Sequence, residues 1–206
     1  MSDAASDLGL FPLDLVLLPG EAIPLHLFEP RYRQLYADCV LEDVPFVVVQ
    51  AGPTGTVDVG CSARFEKLLR RHEDGRLDVI VVGVAPVRVV EETEGRLYFS
   101  AEVAPLVDEE SDVPAELTEG VLRRFRGLAG IADDALPAIP EGVPLSYAVA
   151  GRLELAAGPK QQLLESRDEA HRLALLSELL DDVERGVEHT RMASQRASTN
   201  GKVSTP

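Results

Sequence analysis

PLHLFEPRYRQLYADCV, residues 24–40, contains the transition from a strand to a helix. A short apolar run ends at Phe28, and Pro30 follows two residues later. Proline lacks a backbone N–H and has φ fixed near the helical value, so it is favoured at the first helical position. Glu29 just before it suits the positive amino end of the helix dipole. The stretch therefore predicts a strand that ends near Phe28 and a helix that begins at Pro30.

This helix is predicted to be amphipathic. Five side chains follow the i, i+3, i+4, i+7, i+8 spacing of one helix face, namely Tyr32, Leu35, Tyr36, Cys39 and Val40. Arg31 and Arg33 fall largely on the opposite face. Much of this patch rich in Arg and Tyr is therefore predicted to be structural.

The composition excludes several classes of function. Thirty-five Asp and Glu against twenty Lys and Arg give the 206 residues a net charge of −15, which argues against nucleic acid or an anionic membrane as a partner. No window approaches the ~20 apolar residues of a membrane span. The start, MSDAASD, does not resemble a secretory signal, and two cysteines suit a reducing compartment. We therefore expect a cytoplasmic protein.

The first half of the chain is predicted to be mostly strand. Apolar, β-branched runs such as residues 45–50 suit buried strands, and Asp74-Gly75 and Glu94-Gly95 mark hairpin returns. About six strands joined by short turns favour a small barrel or sandwich. After the acidic segment 108–114 the periodicity becomes helical. We predict an α+β chain with a strand subdomain over residues 8–110, a helical subdomain over 111–190 and a disordered tail over 191–206.

Two groups of motifs resemble those of a known family. The first comprises Phe11-Pro12-Leu13, Leu18-Pro19-Gly20 and the run from Pro24 to Tyr32. The second lies in the last helices and comprises Lys160, Gln161, Leu163, Leu164, Glu165, Arg172 and Leu173. Together they resemble the amino-terminal, substrate-binding domain of Lon proteases over roughly residues 8–190. The resemblance implies a PUA-like small β-barrel with one inserted helix, followed by a carboxy-terminal α-helical bundle.

The catalytic motifs of full-length Lon are missing from this sequence. An ATPase of that kind needs G-x-x-x-x-G-K-[ST], but none of Lys67, Lys160 and Lys202 lies in such a loop. The string nearest to the serine turn of the Lon peptidase, residues 52–55, contains no serine. The resemblance therefore implies a free-standing, non-catalytic Lon-like domain that is not an enzyme.

No catalytic, cofactor-binding or metal-binding residues are predicted, and no cofactor is expected. The four histidines are scattered, without the spacings of a metal-binding helix. His26 is interpreted as a hydrogen-bonded structural histidine, with contact to a ligand as the alternative.

The leading hypothesis is a module that binds protein or unfolded peptide segments in a groove between barrel and helices. Phe28, Tyr32 and Tyr147 are candidates to line this groove, with Arg31 and Arg33 at its rim. For each aromatic residue, burial in the core is the alternative. Two other functions are weighed: a hydrolase with an unrecognised site, and an RNA-binding PUA-like module. The sequence makes no prediction of oligomeric state.

Overall fold

The computed structural model describes residues 6–52, 55–130 and 139–200. Within these ranges the strands are β1 Ser6–Leu13, β2 Ala22–Leu27, β3 Phe46–Gly52, β4 Gly55–Thr56, β5 Val59–Arg71, β6 Leu77–Thr93 and β7 Ser100–Pro105. The helices of the same ranges are α1 Pro30–Glu42, α2 Ala115–Ala129, α3 Leu145–Ala150, α4 Ala157–Glu165 and α5 Glu169–Asn200. The predicted α+β class is confirmed.

The chain forms two compact units that alternate along the sequence. The strand unit comprises Met1–Glu110 and Ile139–Glu169, and it holds the described strands together with α1, α3 and α4. The helix unit comprises Ser111–Ala138 and Ala170–Pro206, and it holds α2 and α5. The subdomain boundaries predicted at residues 8–110 and 111–190 remain a prediction beside this division.

The disordered tail predicted over residues 191–206 remains a prediction. Residues 191–200 continue α5, and residues 201–206 lie outside the described residues. The polarity of this segment argues against burial, but Met, Ala, Arg and Gln all favour helical backbone.

The strands of the strand unit pair in a circuit. Antiparallel pairing runs from β1 through β7, β6 and β5 to β3, and β3 returns to β1 in parallel register. β2 adds to one half of β6, and β4 pairs with β3. One buried apolar cluster inside this arrangement comprises Leu10, Val47, Val49, Val87, Ala101 and Val103. The PUA-like character of the strands remains a prediction.

α1 begins as the sequence predicts. β2 ends at Leu27, and Pro30 occupies the first turn of the helix. The carbonyl of Glu29 accepts from the N–H groups of Tyr32 and Arg33 at 3.1 and 3.2 Å. The helix ends at Glu42, and the next residue, Asp43, adopts the left-handed conformation with φ of 52°.

Five aromatic rings join α1 to the strands. Tyr32 stacks on Phe11 of β1 with ring centroids 4.0 Å apart, and Phe11 contacts Phe46 of β3 at 6.2 Å. Phe46 stacks on Phe65 of β5 at 4.4 Å, and Phe65 meets the edge of Tyr36 at 5.0 Å. This aromatic chain therefore starts and ends on α1 and passes through three strands. It fixes which face of α1 is turned towards the core.

Gly83 of β6 allows the segment from Leu18 to Glu21 to pass close to the β6 backbone. The backbone of Gly83 bonds to Gly20 and Glu21 on either side of the crossing, at 2.9 and 3.0 Å. A Cβ atom at Gly83 would lie 2.2 Å from the carbonyl oxygen of Leu18. Only a residue without a side chain fits there, because a backbone oxygen cannot move aside as a flexible side chain can.

The Gly83→Ala substitution is expected to lower the free energy of unfolding by about 3 kcal/mol, because the new methyl group forces the crossing apart. Chemical denaturation followed by circular dichroism measures this change. Gly158→Ala in α4 is the matched control, since no atom lies within 4 Å of the added Cβ. The control is expected to be neutral or slightly stabilising, because alanine favours helix. Equal stability of Gly83→Ala and wild type would contradict the crowding described here.

A largely buried ion pair links Glu21, next to the Leu18-Pro19-Gly20 turn, to Lys160 of α4. Nζ of Lys160 lies 2.5 Å from Oε1 of Glu21, and each side chain is 12% exposed. The second carboxylate oxygen of Glu21 accepts from the backbone N–H of Leu18 at 3.0 Å. Beside this pair, the Gln161 amide donates to the carbonyl of Val59 at 3.0 Å. These contacts connect α4 to parts of the chain about a hundred residues earlier.

Replacing Lys160 by Met is expected to lower the free energy of unfolding by about 2 kcal/mol, because the buried carboxylate of Glu21 is left without a compensating charge. Glu21→Gln in the same chain should recover part of this loss. A double-mutant cycle of unfolding free energies measures the coupling, and a coupling energy near zero would show that the pair contributes nothing.

The helix unit carries the predicted apolar stripes. Val121 and Phe125 of α2 are buried, as are Leu173, Leu176 and Leu180 of α5. The guanidinium of Arg124 pairs with Asp181 at 2.7 Å and donates to the Ser177 hydroxyl, which joins α2 to α5. Across the described residues, no helix is both long and apolar enough for a membrane span.

Candidate functional site

Two of the predicted contact residues lie in the core. Tyr32 is 6% exposed, because its ring stacks on Phe11. Tyr147 of α3 is 2% exposed, and its hydroxyl donates to the carbonyl of Leu163 at 3.3 Å. Both rings therefore lie in the core, the position given above as the alternative. A peptide cannot reach either ring in this conformation.

The other three predicted residues lie nearer the surface, but the structure does not bring them into one pocket. Phe28 is 61% exposed and stacks on the ring of His26. Arg31 pairs with Glu29 at 2.8 Å, and its guanidinium lies over the rings of Tyr32 and Phe99. Arg33 donates to the carbonyl of Asp74 at 3.3 Å. Of the five residues, Arg33 lines the groove described next.

An open groove of about 810 Å³ runs between α1 and the hairpin formed by β5 and β6. We call it the α1 groove. It is lined by Pro30, Arg33, Gln34, Tyr36, Ala37, Val40 and Leu41 on the helix side and by Arg71, Gly75 and Leu77 on the hairpin side. It lies wholly within the strand unit. The predicted groove between strands and carboxy-terminal helices is a different location and remains a prediction.

The α1 groove combines apolar and cationic side chains. Leu41 is 85% exposed and Val40 is 55% exposed, although Val40 was predicted to belong to the inner stripe. Val40 misses the core because the inner face is already filled by Tyr32, Leu35 and Cys39, which are buried. The guanidinium groups of Arg33 and Arg71 add positive charge. The groove can therefore accept apolar side chains next to a carboxylate.

A second constellation joins residues that are far apart in sequence. Nδ1 of His26 donates to one carboxylate oxygen of Asp78 at 2.5 Å, and Nε2 of His72 donates to the other at 2.8 Å. The hydrogen bond from His26, and after it the one from His72, holds the pKa of Asp78 below its ordinary value. The interpretation of His26 as a hydrogen-bonded histidine agrees with this geometry. The grouping was not predicted from the sequence, because only the pairing of His26 with Asp78 across β2 and β6 could have indicated it.

The cysteines do not offer a reactive thiolate. Burial raises the pKa of the Cys39 thiol to about 11 and that of the Cys61 thiol to about 12. Both side chains are free and buried. A thiol with such a pKa is protonated at neutral pH and is a weak nucleophile.

Comparison of sequences relates this chain to Lon proteases. Residues 7–182 match the family described as the ATP-dependent protease La (LON) substrate-binding domain. Lon protease 2 of Myxococcus xanthus is 27% identical over 198 residues, which cover 87% of this chain and 24% of the relative. Lon protease 2 of Syntrophobacter fumaroxidans is 30% identical over 177 residues, which cover 77% of this chain and 22% of the relative. This chain thus spans about a quarter of the length of these relatives.

Comparison of structures agrees with the sequence match. A Lon N-terminal domain protein from Xanthomonas campestris is 27% identical, with a TM-score of 0.65 over 83% of this chain and 96% of that one. The N-terminal domain of a Mycobacterium avium complex Lon protease shares the fold, at 18% identity and a TM-score of 0.66. This match covers 86% of this chain and 99% of that one. The resemblance predicted from the sequence motifs is confirmed. The chain belongs to the Lon substrate-binding domain family.

Proposed function

We propose that this chain binds unfolded segments of other proteins in the α1 groove, and that it does so without hydrolysing them. Membership of a substrate-binding family suggests the class of ligand. The observation that carries the location is the exposure of Leu41 and Val40 beside two arginines. Large apolar side chains on the outer face of an otherwise well-packed helix are typical of a docking surface.

The charges favour a ligand with acidic residues. The chain as a whole carries a net charge of −15, yet the strand β5 beside the groove includes Arg64, Lys67, Arg70 and Arg71. An extended segment with alternating apolar and acidic side chains would place leucine-like groups on Val40 and Leu41. Its carboxylates would then meet Arg33 and Arg71. Pairing of this kind adds specificity and speeds association more than it adds affinity.

The absence of hydrolysis is part of the proposal. None of the three lysines lies in an ATPase loop, and both cysteines are buried. The ATPase and peptidase activities of the longer Lon proteases are properties of those relatives. We infer that this chain supplies recognition, and that any cleavage of the bound segment is performed by another protein.

Leu41→Ser is expected to weaken peptide binding about tenfold, because one buried leucine side chain contributes roughly 1.5 kcal/mol or more. Fluorescence anisotropy with a labelled peptide of alternating leucine and aspartate measures the affinity. Arg71→Gln should weaken binding and reduce its dependence on salt. A peptide with lysine in place of aspartate should bind less well to the wild-type chain.

Leu97→Ser is the matched control, since Leu97 is 77% exposed and does not line the α1 groove. The control is expected to bind the peptide like the wild type. Equal affinity of Leu41→Ser and wild type would refute the location. Failure of the wild type to bind any unfolded segment would refute the function, and tighter, salt-dependent binding of an RNA oligonucleotide would favour the RNA-binding alternative.

A further inference from the structure

Two histidines and one aspartate form a compact cluster at one end of the β2–β6 ladder. His26 of β2 lies opposite Asp78 of β6 in the antiparallel register, so their side chains share one face of the sheet. His72 follows the end of β5 and enters the turn that leads to β6. The chain therefore brings together ligand atoms from three segments, separated by up to 52 residues.

The distances bring three potential ligand atoms into the range of a single ion. The donor nitrogens of His26 and His72 and a carboxylate oxygen of Asp78 all lie within 4.8 Å of one another. The two imidazole rings meet edge to face, with centroids 5.6 Å apart. Tetrahedral zinc with bonds of about 2.0–2.1 Å needs ligand atoms about 3.3 Å apart. The present N–O separations of 2.5 and 2.8 Å would have to open by less than about 1 Å. Ligand atoms as far as 4.8 Å apart would have to approach each other by up to about 1.5 Å.

We propose that His26, His72 and Asp78 bind one divalent transition-metal ion of the Zn²⁺ type. Two imidazole nitrogens and one carboxylate oxygen favour zinc, cobalt, nickel or copper over magnesium or calcium, which prefer oxygen ligands. A fourth position remains for water, because the cluster is partly exposed to solvent, with 42% of the His26 side chain accessible. Binding requires each histidine to shift its proton to its other ring nitrogen, so the nitrogen that now donates to Asp78 can bind the ion instead.

The ion would tie β2 to the tip of the β5–β6 hairpin. In the structure, Asp78 provides this link by accepting from both histidines. In the bound state, all three side chains would point to a common centre. Phe28, stacked on His26 with ring centroids 6.2 Å apart, would then lie on a more rigid support. This inference concerns a different site from the α1 groove and does not depend on the proposed function.

The charges around the cluster set the conditions of binding. With both histidines neutral, Asp78 supplies one negative charge. Arg70 lies opposite Asp78 in the β5–β6 register, and its positive charge disfavours a bound cation. The guanidinium of Arg76 is paired with Asp74 at 2.7 Å. His72 and His26 must be unprotonated to bind, so protons compete with the metal. Binding should therefore weaken as the pH is lowered.

The experiment titrates the full chain with Zn²⁺ in competition with a chromophoric chelator. The wild type is expected to bind one Zn²⁺ per chain at the cluster. His26→Ala and Asp78→Asn are each expected to weaken binding by about tenfold or more. His171→Ala removes an exposed histidine of α5 and is the matched control, with unchanged affinity expected.

Two further measurements separate metal binding from a purely structural hydrogen-bond network. His72→Gln keeps a donor for Asp78 but replaces an imidazole by a poor zinc ligand, so it should fold normally, as judged by circular dichroism, and lose affinity. In the wild type, Zn²⁺ should shift the NMR signals of Nδ1 in His26 and Nε2 in His72, and Co²⁺ should give the visible absorption of a tetrahedral site. The proposal is overturned if the wild type shows no specific Zn²⁺ binding, or if folded His72→Gln binds as tightly as wild type.

Discussion

The stacking of Tyr32 on Phe11 determines how the rest of the strand unit is arranged. It presses α1 against β1, and the rings of Phe46, Phe65 and Tyr36 extend the contact across β3 and β5 and back to the helix. Aromatic pairs at these distances contribute beyond the apolar area that they bury. Because both ends of the series lie on α1, the helix can neither rotate about its axis nor slide without breaking a ring contact.

This constraint separates the two faces of α1. The inner face is filled by aromatic and aliphatic side chains, so Val40 and Leu41 are left on the outer face with the groove beside them. The family motif that begins at Pro24 thus has two physical roles. Its Tyr32, together with Tyr36, fixes the helix, and the fixed helix presents Val40 and Leu41 beside Arg71 of the β5–β6 hairpin.

Local patterns predicted the features that depend on neighbouring residues. The start of α1 at Pro30, most of its inner stripe and the helical periodicity after residue 114 all follow from spacing along the chain. The groove and the cluster of His26, His72 and Asp78 do not, because they depend on strand register and on which hairpin lies beside which helix. Tyr32 and Tyr147 illustrate the difficulty, since the spacing that makes an aromatic residue a candidate contact also suits the core. The need for glycine at position 83 likewise follows from the close approach of Leu18 and not from neighbouring residues in the sequence.

The ion pair of Glu21 with Lys160 spans 139 positions and so has a consequence for biosynthesis. During synthesis, the first half of the strand unit leaves the ribosome long before α4 does. Glu21 therefore cannot form its ion pair until Lys160 has been synthesised. Contacts of such long range slow folding, because a large loop must close before they form. The nascent chain therefore passes through a period with its apolar strands incompletely covered, when chaperones that shield emerging polypeptides would have the most to bind.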